Sequence, residues 1–251
     1  MTRSEALQTI RARKPLLHCI SNLVTANDCA NLALAVGASP IMAQAPQEMD
    51  DIAALASAVV LNTGTPDDAK FTAARLAGAA ANRHGIPVIL DPVGVGASPW
   101  RLENIRRLLQ EVHLTILRAN YGEAAALLGL SAAEHGVDSL AIPTDAAACA
   151  KALAQKLGTV VVLSGAEDLV TDGTTLHSVS GGSDFMRSVT GAGCMLSVLC
   201  GAFAAVQPQQ PVDAAVQATA FWKACAEKAE PLAHGPASFR VALLDAAAQI
   251  L

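Results

Sequence analysis

SVTGAGCMLS, residues 188 to 197, sets two glycines around an alanine and follows them with a cysteine at the head of an apolar run. Glycines leave consecutive backbone N–H groups open to a ligand, and a helix that starts there adds the positive end of its dipole. Gly191, Ala192 and Gly193 therefore predict an anion-binding turn opening a helix over 191 to 206, with Cys194 in its first turn. The segment before it, DLVTDGTTLHSVS (168 to 180), alternates in polarity and carries Asp172-Gly173, a strong hairpin signal.

Further upstream, short β-branched runs alternate with alanine-rich stretches of helical period, the pattern of βαβ units. The strands read SPIMA (39 to 43), AVVLN (58 to 62), PVILD (87 to 91), LTILRAN (114 to 120) and TVVVLSG (159 to 165). Helices are expected at 26 to 36, with Thr25 as N-cap and Gly37 past the end, at 47 to 56, and at 66 to 84 closed by Gly85. Others are expected at 101 to 112, 121 to 129, 145 to 157, 211 to 229 and 238 to 250. Ser131 to Thr144 is the least regular stretch and reads as a surface loop. The fold class is α/β, one domain over 1–251, with a central mainly parallel sheet and helices on both faces.

The composition agrees. Of 251 residues 52% are hydrophobic but only 3% aromatic, so the core is built from aliphatic side chains and close helix contacts. A net charge of -5 argues against a nucleic-acid partner, which draws its affinity from Lys and Arg on phosphates. The six cysteines form no C-x-x-C pair or metal-finger spacing and suggest a reducing compartment. Charged residues interrupt the first turns, so no leader is expected there. The run around Met195 to Val206 falls short of the roughly 20 residues that cross a bilayer. No membrane association is expected, and the cytoplasm is the expected location.

In open α/β sheets ligands gather at the carboxyl ends of the strands. Those ends here carry Met42, the Asn62-Thr63-Gly64-Thr65 turn, Asp91 before a Gly-rich turn, Arg118 to Glu123, Ser164 to Asp168, and the 190 to 194 turn. Asp91 and Glu123 are hard oxygen donors suited to Mg²⁺, directly or through water. Arg118 is a cation suited to phosphate oxygens. Each has a plainer reading: Asp91 can cap a turn, and Asn120 with Glu123 can be a helix cap followed by a first-turn charge. Taken together, anion hole, carboxylates and arginine point to phosphoryl transfer. The chain has no G-x-x-x-x-G-K-[ST] segment, so the site is not of Walker type.

The Gly191-Ala192-Gly193 turn, Asn120-x-x-Glu123 and Asp91 resemble the ribokinase-like superfamily. The segments 18 to 43, 61 to 65, 91 to 97, 118 to 123, 164 to 173 and 189 to 197 resemble, more closely, its hydroxyethylthiazole kinase family, of thiamine salvage. The resemblance implies ATP-dependent phosphorylation of the hydroxyl of 4-methyl-5-(2-hydroxyethyl)thiazole with Mg²⁺. Met42 and Gly191 would touch the thiazole, and Arg118 and Ser164 the nucleotide. Ser164 stands where threonine is common in the family, and Tyr121-Gly122 replaces the usual small polar pair. Many superfamily members carry an aspartate base where this chain has Cys194, which acts either as a base, its pKa lowered at a helix N-terminus, or only as a small filler beside the acceptor hydroxyl. The chain has no room for an early lid sheet, and the resemblance implies a homotrimer with sites at subunit boundaries. The competing readings are a hydroxymethylpyrimidine kinase, a nicotinamide-hydrate dehydratase and a silent nucleotide-binding module. The residue at 194, where the dehydratase would carry aspartate, and the Met42 segment discriminate among them.

Overall fold

The computed structural model describes residues 1–130 and 145–250. Its eight strands form one sheet, in the order β2-β1-β3-β4-β5-β6-β7-β8. These are β1 (Leu16–Ile20), β2 (Ser39–Ile41), β3 (Ala58–Asn62), β4 (Val88–Asp91), β5 (Ile116–Asn120), β6 (Val160–Ser164), β7 (Asp168–Thr171) and β8 (Leu176–Val179). The first six run parallel, and β7 and β8 turn back antiparallel through the Asp172-Gly173 hairpin. Because β1 lies between β2 and β3, the chain winds outward in opposite directions from it. That is the switch point at which a crevice opens beyond the strand ends.

Successive strand residues face opposite layers. Val60, Ile89, Ile116 and Val162 join one apolar cluster with the helices α1 (Arg3–Arg13), α2 (Ala26–Val36), α8 (Ala192–Val206), α9 (Pro211–Ala229) and α10 (Pro236–Gln249). Val59, Leu61, Leu90, Leu117 and Val161 join the other with α3 (Met49–Leu55), α4 (Asp68–His84), α5 (Pro99–Glu111), α6 (Tyr121–Leu128) and α7 (Ala146–Leu157). Small residues set the spacing. A Cβ on Gly201 of α8 would stand 2.7 Å from Val60 Cγ2, so this helix rests almost backbone-on on β3.

The expected strands and helices are present with shifted ends. The run 39 to 43 is a strand only through Ile41, and 47 to 56 divides into a 3-10 turn, Pro46–Glu48, and α3. The helix expected from 66 begins at Asp68, where Asp67 accepts from the Lys70 N–H, and α10 starts at Pro236. Thr25 holds the N-cap position of α2 but its side chain caps nothing. The turn before the helix is held by Asn22, whose Oδ1 accepts from the backbone N–H of Val24 and Thr25, each at 3.0 Å. Two elements were not anticipated, α1 and β1. Residues 131 to 144 lie outside the described residues.

Candidate active site

Arg118 and Ser164 meet because β5 and β6 pair in register, Asn120 opposite Ser164. Arg118 Nε donates to Ser164 Oγ at 3.1 Å, and its Nη1 lies 3.6 Å from Asp91 Oδ1. The same guanidinium covers the glycine turn so closely that a Cβ on Gly193 would stand 2.3 Å from Nη1. Arg118, Ser164, Ala192 and Gly193 line one cavity of about 690 Å³. Its wall also holds Trp222 and an inward ion pair, Lys223 Nζ to Asp168 Oδ2 at 3.3 Å. Helix α8 begins here; the Ala192 N–H bonds the Val189 carbonyl at 3.4 Å and the Met195 N–H the Gly191 carbonyl at 2.8 Å, which leaves the N–H groups of Gly193 and Cys194 as the open donors of the first turn.

Asp91 ends β4 and is wholly buried. Its Oδ2 accepts from Asn62 Nδ2 at 3.1 Å and from Ser197 Oγ at 2.9 Å. Among the described residues Oδ1 has no hydrogen-bond partner. Burial pushes this carboxyl above its ordinary value, against the pull of Arg118. Glu123 is engaged differently. Its Oε2 accepts from the Asn120 N–H and its Oε1 from the Gly94 N–H, both at 2.9 Å, while Asn120 caps α6 in return. The plainer reading of Asn120 and Glu123, a cap with a first-turn charge, is therefore realised, and it ties α6 to the turn after Asp91.

Gly191 caps α8 with φ +88°, and a Cβ there would strike Thr25 Cγ2 at 2.4 Å. Cys194 is buried, and its Sγ accepts from Asn22 Nδ2 at 3.4 Å. The expectation of a lowered thiol pKa is overturned. Burial first, and the nearby Asp91 carboxylate second, push it up. Met42 is half-buried against the core beside β2, at the outer edge of the sheet, with Gly191 also outside the lining of the cavity. The next residue, Ala43, is held through its carbonyl by His18 Nε2 at 3.0 Å.

Three parts of this arrangement escaped sequence reasoning. Lys223 sits on the buried face of α9, four residues from Thr219 and eight from Ala215, and a charge in that register was a legible signal. Lys70 is buried and donates to the carbonyls of Ser21 at 2.7 Å and Gly64 at 2.6 Å, bridging the turns after β1 and β3. Asn62 stood in a quoted motif without a role; only the pairing of β3 with β1 and β4 shows what it joins.

Comparison with known proteins agrees with this geometry. A family model described as the hydroxyethylthiazole kinase family matches residues 7–251. A protein of Methanocella arvoryzae named hydroxyethylthiazole kinase is 45% identical over 242 residues, 96% of this chain and 91% of that one. A solved structure of the hydroxyethylthiazole kinase protein from Pyrococcus horikoshii OT3 superposes with a TM-score of 0.90 at 38% identity, covering 99% of this chain and 93% of that one. A ribokinase-like superfamily protein of Enterococcus faecalis V583 shares the fold, with a TM-score of 0.66 at 12% identity over 100% of this chain and 96% of that one.

Proposed function

We infer the working of the site from one premise: the chain belongs to the hydroxyethylthiazole kinase family, whose reaction is the ATP-dependent phosphorylation of the hydroxyl of 4-methyl-5-(2-hydroxyethyl)thiazole. The observation that supports our residue roles is the meeting of Arg118, Ser164 and Gly193 at the head of α8, beside the buried Asp91. Arg118, oriented by Ser164, neutralises the oxygens of the migrating phosphoryl group, and the first N–H groups of α8 donate to the same charge. In a loose transition state such positioning and charge stabilisation carry most of the catalysis. Gly191 and Met42 receive the thiazole, and the acceptor hydroxyl faces Cys194. With its thiol pushed up by burial, Cys194 serves as packing and a hydrogen-bonding group rather than as a standing thiolate, and the hydroxyl keeps its proton until late.

The donor set suits Mg²⁺ held chiefly by phosphates and water. Asp91 has one buried oxygen that makes no hydrogen bond and faces Arg118 at 3.6 Å, Glu123 lies close enough to influence it, and no group of three His, Cys, Asp or Glu side chains forms a cage among the described residues. Asp91, and Glu123 through solvent, would hold the ion, which supplies charge neutralisation between the phosphates. We place the enzyme in the cytoplasm as a homotrimer. No helix among the described residues is long and apolar enough to cross a membrane.

The test is ADP release by the purified protein with hydroxyethylthiazole and Mg²⁺ supplied together and each omitted. Release should require both, and equal ADP formation without the alcohol would sink the assignment.

A further inference from the structure

Two asparagines stand on either side of the switch point, and their side chains are joined. Asn22 follows β1 and Asn62 ends β3, neighbours in the sheet. Each uses its Oδ1 to hold its own turn: Asn22 accepts from Val24 and Thr25, and Asn62 accepts from the Gly64 N–H at 3.0 Å. Each uses its Nδ2 to reach across. Asn22 Nδ2 donates to Asn62 Oδ1 at 3.0 Å and to Cys194 Sγ at 3.4 Å, and Asn62 Nδ2 donates to Asp91 Oδ2 at 3.1 Å. Ser197 Oγ closes the chain on the same Asp91 oxygen at 2.9 Å. All five side chains are buried.

A primary amide suits both places without a change of protonation, because each position needs an acceptor toward backbone N–H groups and a donor toward the next residue. The backbone donors fix which end of each amide points where. The chain therefore has a direction, with both Cys194 Sγ and Asp91 Oδ2 accepting. A buried network in which every member is satisfied holds its parts in one arrangement, and losing one partner leaves the others unpaired at full desolvation cost.

We propose that Asn62, acting with Asn22, is a positioning residue of the phosphoryl transfer, its amide holding the carboxylate at the end of β4 in fixed register with the Cys194 corner of α8. The pair lies between the group that faces the phosphates and the group that faces the acceptor hydroxyl. A displacement of either by a fraction of an ångström acts on the reacting geometry and leaves the nucleotide cavity intact. Asn22 and Asn62 are absent from the lining of that cavity.

The proposal rests on the kinase assignment, and the experiment separates the two. Asn62→Ala, Asn22→Ala, the double variant and the isosteric Asn62→Asp are compared with the wild type by ADP formation, with kcat referred to nucleotide sites counted by calorimetry. Asn62→Asp keeps the acceptor toward Gly64 and Asn22 but sets a second carboxyl against Asp91. The two can share a proton, so this variant is assayed across pH, the donor to Asp91 being lost where both ionise, and it answers the question if Asn62→Ala does not fold. Expected are a fall of ~10–100-fold in kcat per nucleotide site for Asn62→Ala and Asn62→Asp, with KM for ATP changed less than about two-fold, and a double variant no worse than the poorer single variant, as residues acting as a unit behave. A merely structural role would lower the count of sites and leave kcat per site alone. Wild-type kcat per site in a folded Asn62→Ala, or in Asn62→Asp at the alkaline end of its pH profile, or losses that add in the double variant, would overturn the proposal and leave the kinase assignment standing. Absence of alcohol-dependent turnover in the wild type would overturn both.

Discussion

At the scale of single residues, the site is decided by how little room surrounds the glycine turn. A side chain at 193 has no backbone strain to overcome but meets the Arg118 guanidinium, with its Cβ 2.4 Å from Cζ. Gly193→Val is thus expected to push Arg118 off Asp91 and Ser164 and to lower kcat by ~10²–10³, the usual cost of one lost charge-stabilising donor. Cys194→Ala removes a thiol held up by burial and is expected to cost less than about ten-fold in kcat. Circular dichroism beside kcat checks both, and equal losses in two folded proteins would make the thiol an essential base. The buried thiols also set a pH dependence. Burial pushes Cys19, Cys200 and Cys225 up to about 12 from an ordinary 9.0, so the unfolded chain releases these protons first. Their contribution is complete below pH 9 and is lost as pH rises from 9 toward 12. Lys70 acts the other way. Burial lowers its ammonium to about 8 from 10.5, so between those values the unfolded chain holds the extra proton and stability rises with pH. Urea midpoints at pH 8, 9 and 10 should fall overall, and fall more steeply in Lys70→Met than in the wild type; parallel slopes would remove Lys70 from the balance.

At the scale of elements, a helix lies as close to the sheet as its smallest residue allows, and α8 shows the limit. Replacing Gly201 by Ala gains ~1 kcal/mol in helix propensity. Yet the new methyl would stand 2.7 Å from Val60 Cγ2, a contact that must shift helix or strand, and overpacking of this kind costs ~1–3 kcal/mol. The clash should win, so Gly201→Ala is expected to lower Tm by about 2–4 °C, as a net loss near 1 kcal/mol does in a chain of this size. A scanning calorimetry trace with Tm unchanged or raised would show that the layer yields. The same elements show what a sequence discloses. β3, β4 and β6 are nearly continuous branched aliphatic runs closed by polar residues, the signature of strands buried on both faces, and they were legible; β5 was read from its Leu-Thr-Ile-Leu lead-in although Arg118 stands within it. β1 was not, because LLHCI places a histidine in the middle of a five-residue run. That histidine is tolerated only because burial keeps it near neutrality and Ala43 accepts its hydrogen bond, a partner 25 residues away. α1 hid behind its charges: RSEALQTIRAR buries only Ala6, Leu7 and Ile10, though the Thr2-x-x-Glu5 capping box was there to be read. At the site, Asp91, Ser164 and the glycine turn were legible because each ends a strand or opens a helix, and Arg118 because it is a charge inside an apolar strand. Asn62 and Lys70 were not, since their partners lie in other turns that only the sheet order brings near.

At the scale of the whole molecule, the described residues form one sheet with no second sheet above its strand ends, so on the proposed reading cover for the thiazole would come from a neighbouring subunit. The turn after β1, which carries Asn22, also carries Leu23 and Val24, 81% and 64% exposed. Val24 lines a shallow groove with Val189 and Pro236, and Leu34 of α2 and Val241 of α10 add two more exposed aliphatic side chains on a helix pair that packs together. Scattered exposed aliphatics are ordinary, but two at the tip of a turn held by Asn22, Lys70 and the Leu23 N–H to Thr65 Oγ1 bond are placed by a rigid frame. A rigid apolar tip suits burial against a neighbouring subunit, because ordering it costs little. For the homotrimer that the family resemblance implies, light scattering is expected to give three times 25.6 kDa. Leu23→Asp with Val24→Asp should shift that mass toward the monomer and raise KM for the thiazole alcohol more than KM for ATP, since neither residue lines the cavity proposed for the nucleotide. A fully active wild-type monomer would contradict the trimer. A double variant that becomes monomeric with its thiazole KM unchanged would show instead that the site is covered from within one chain.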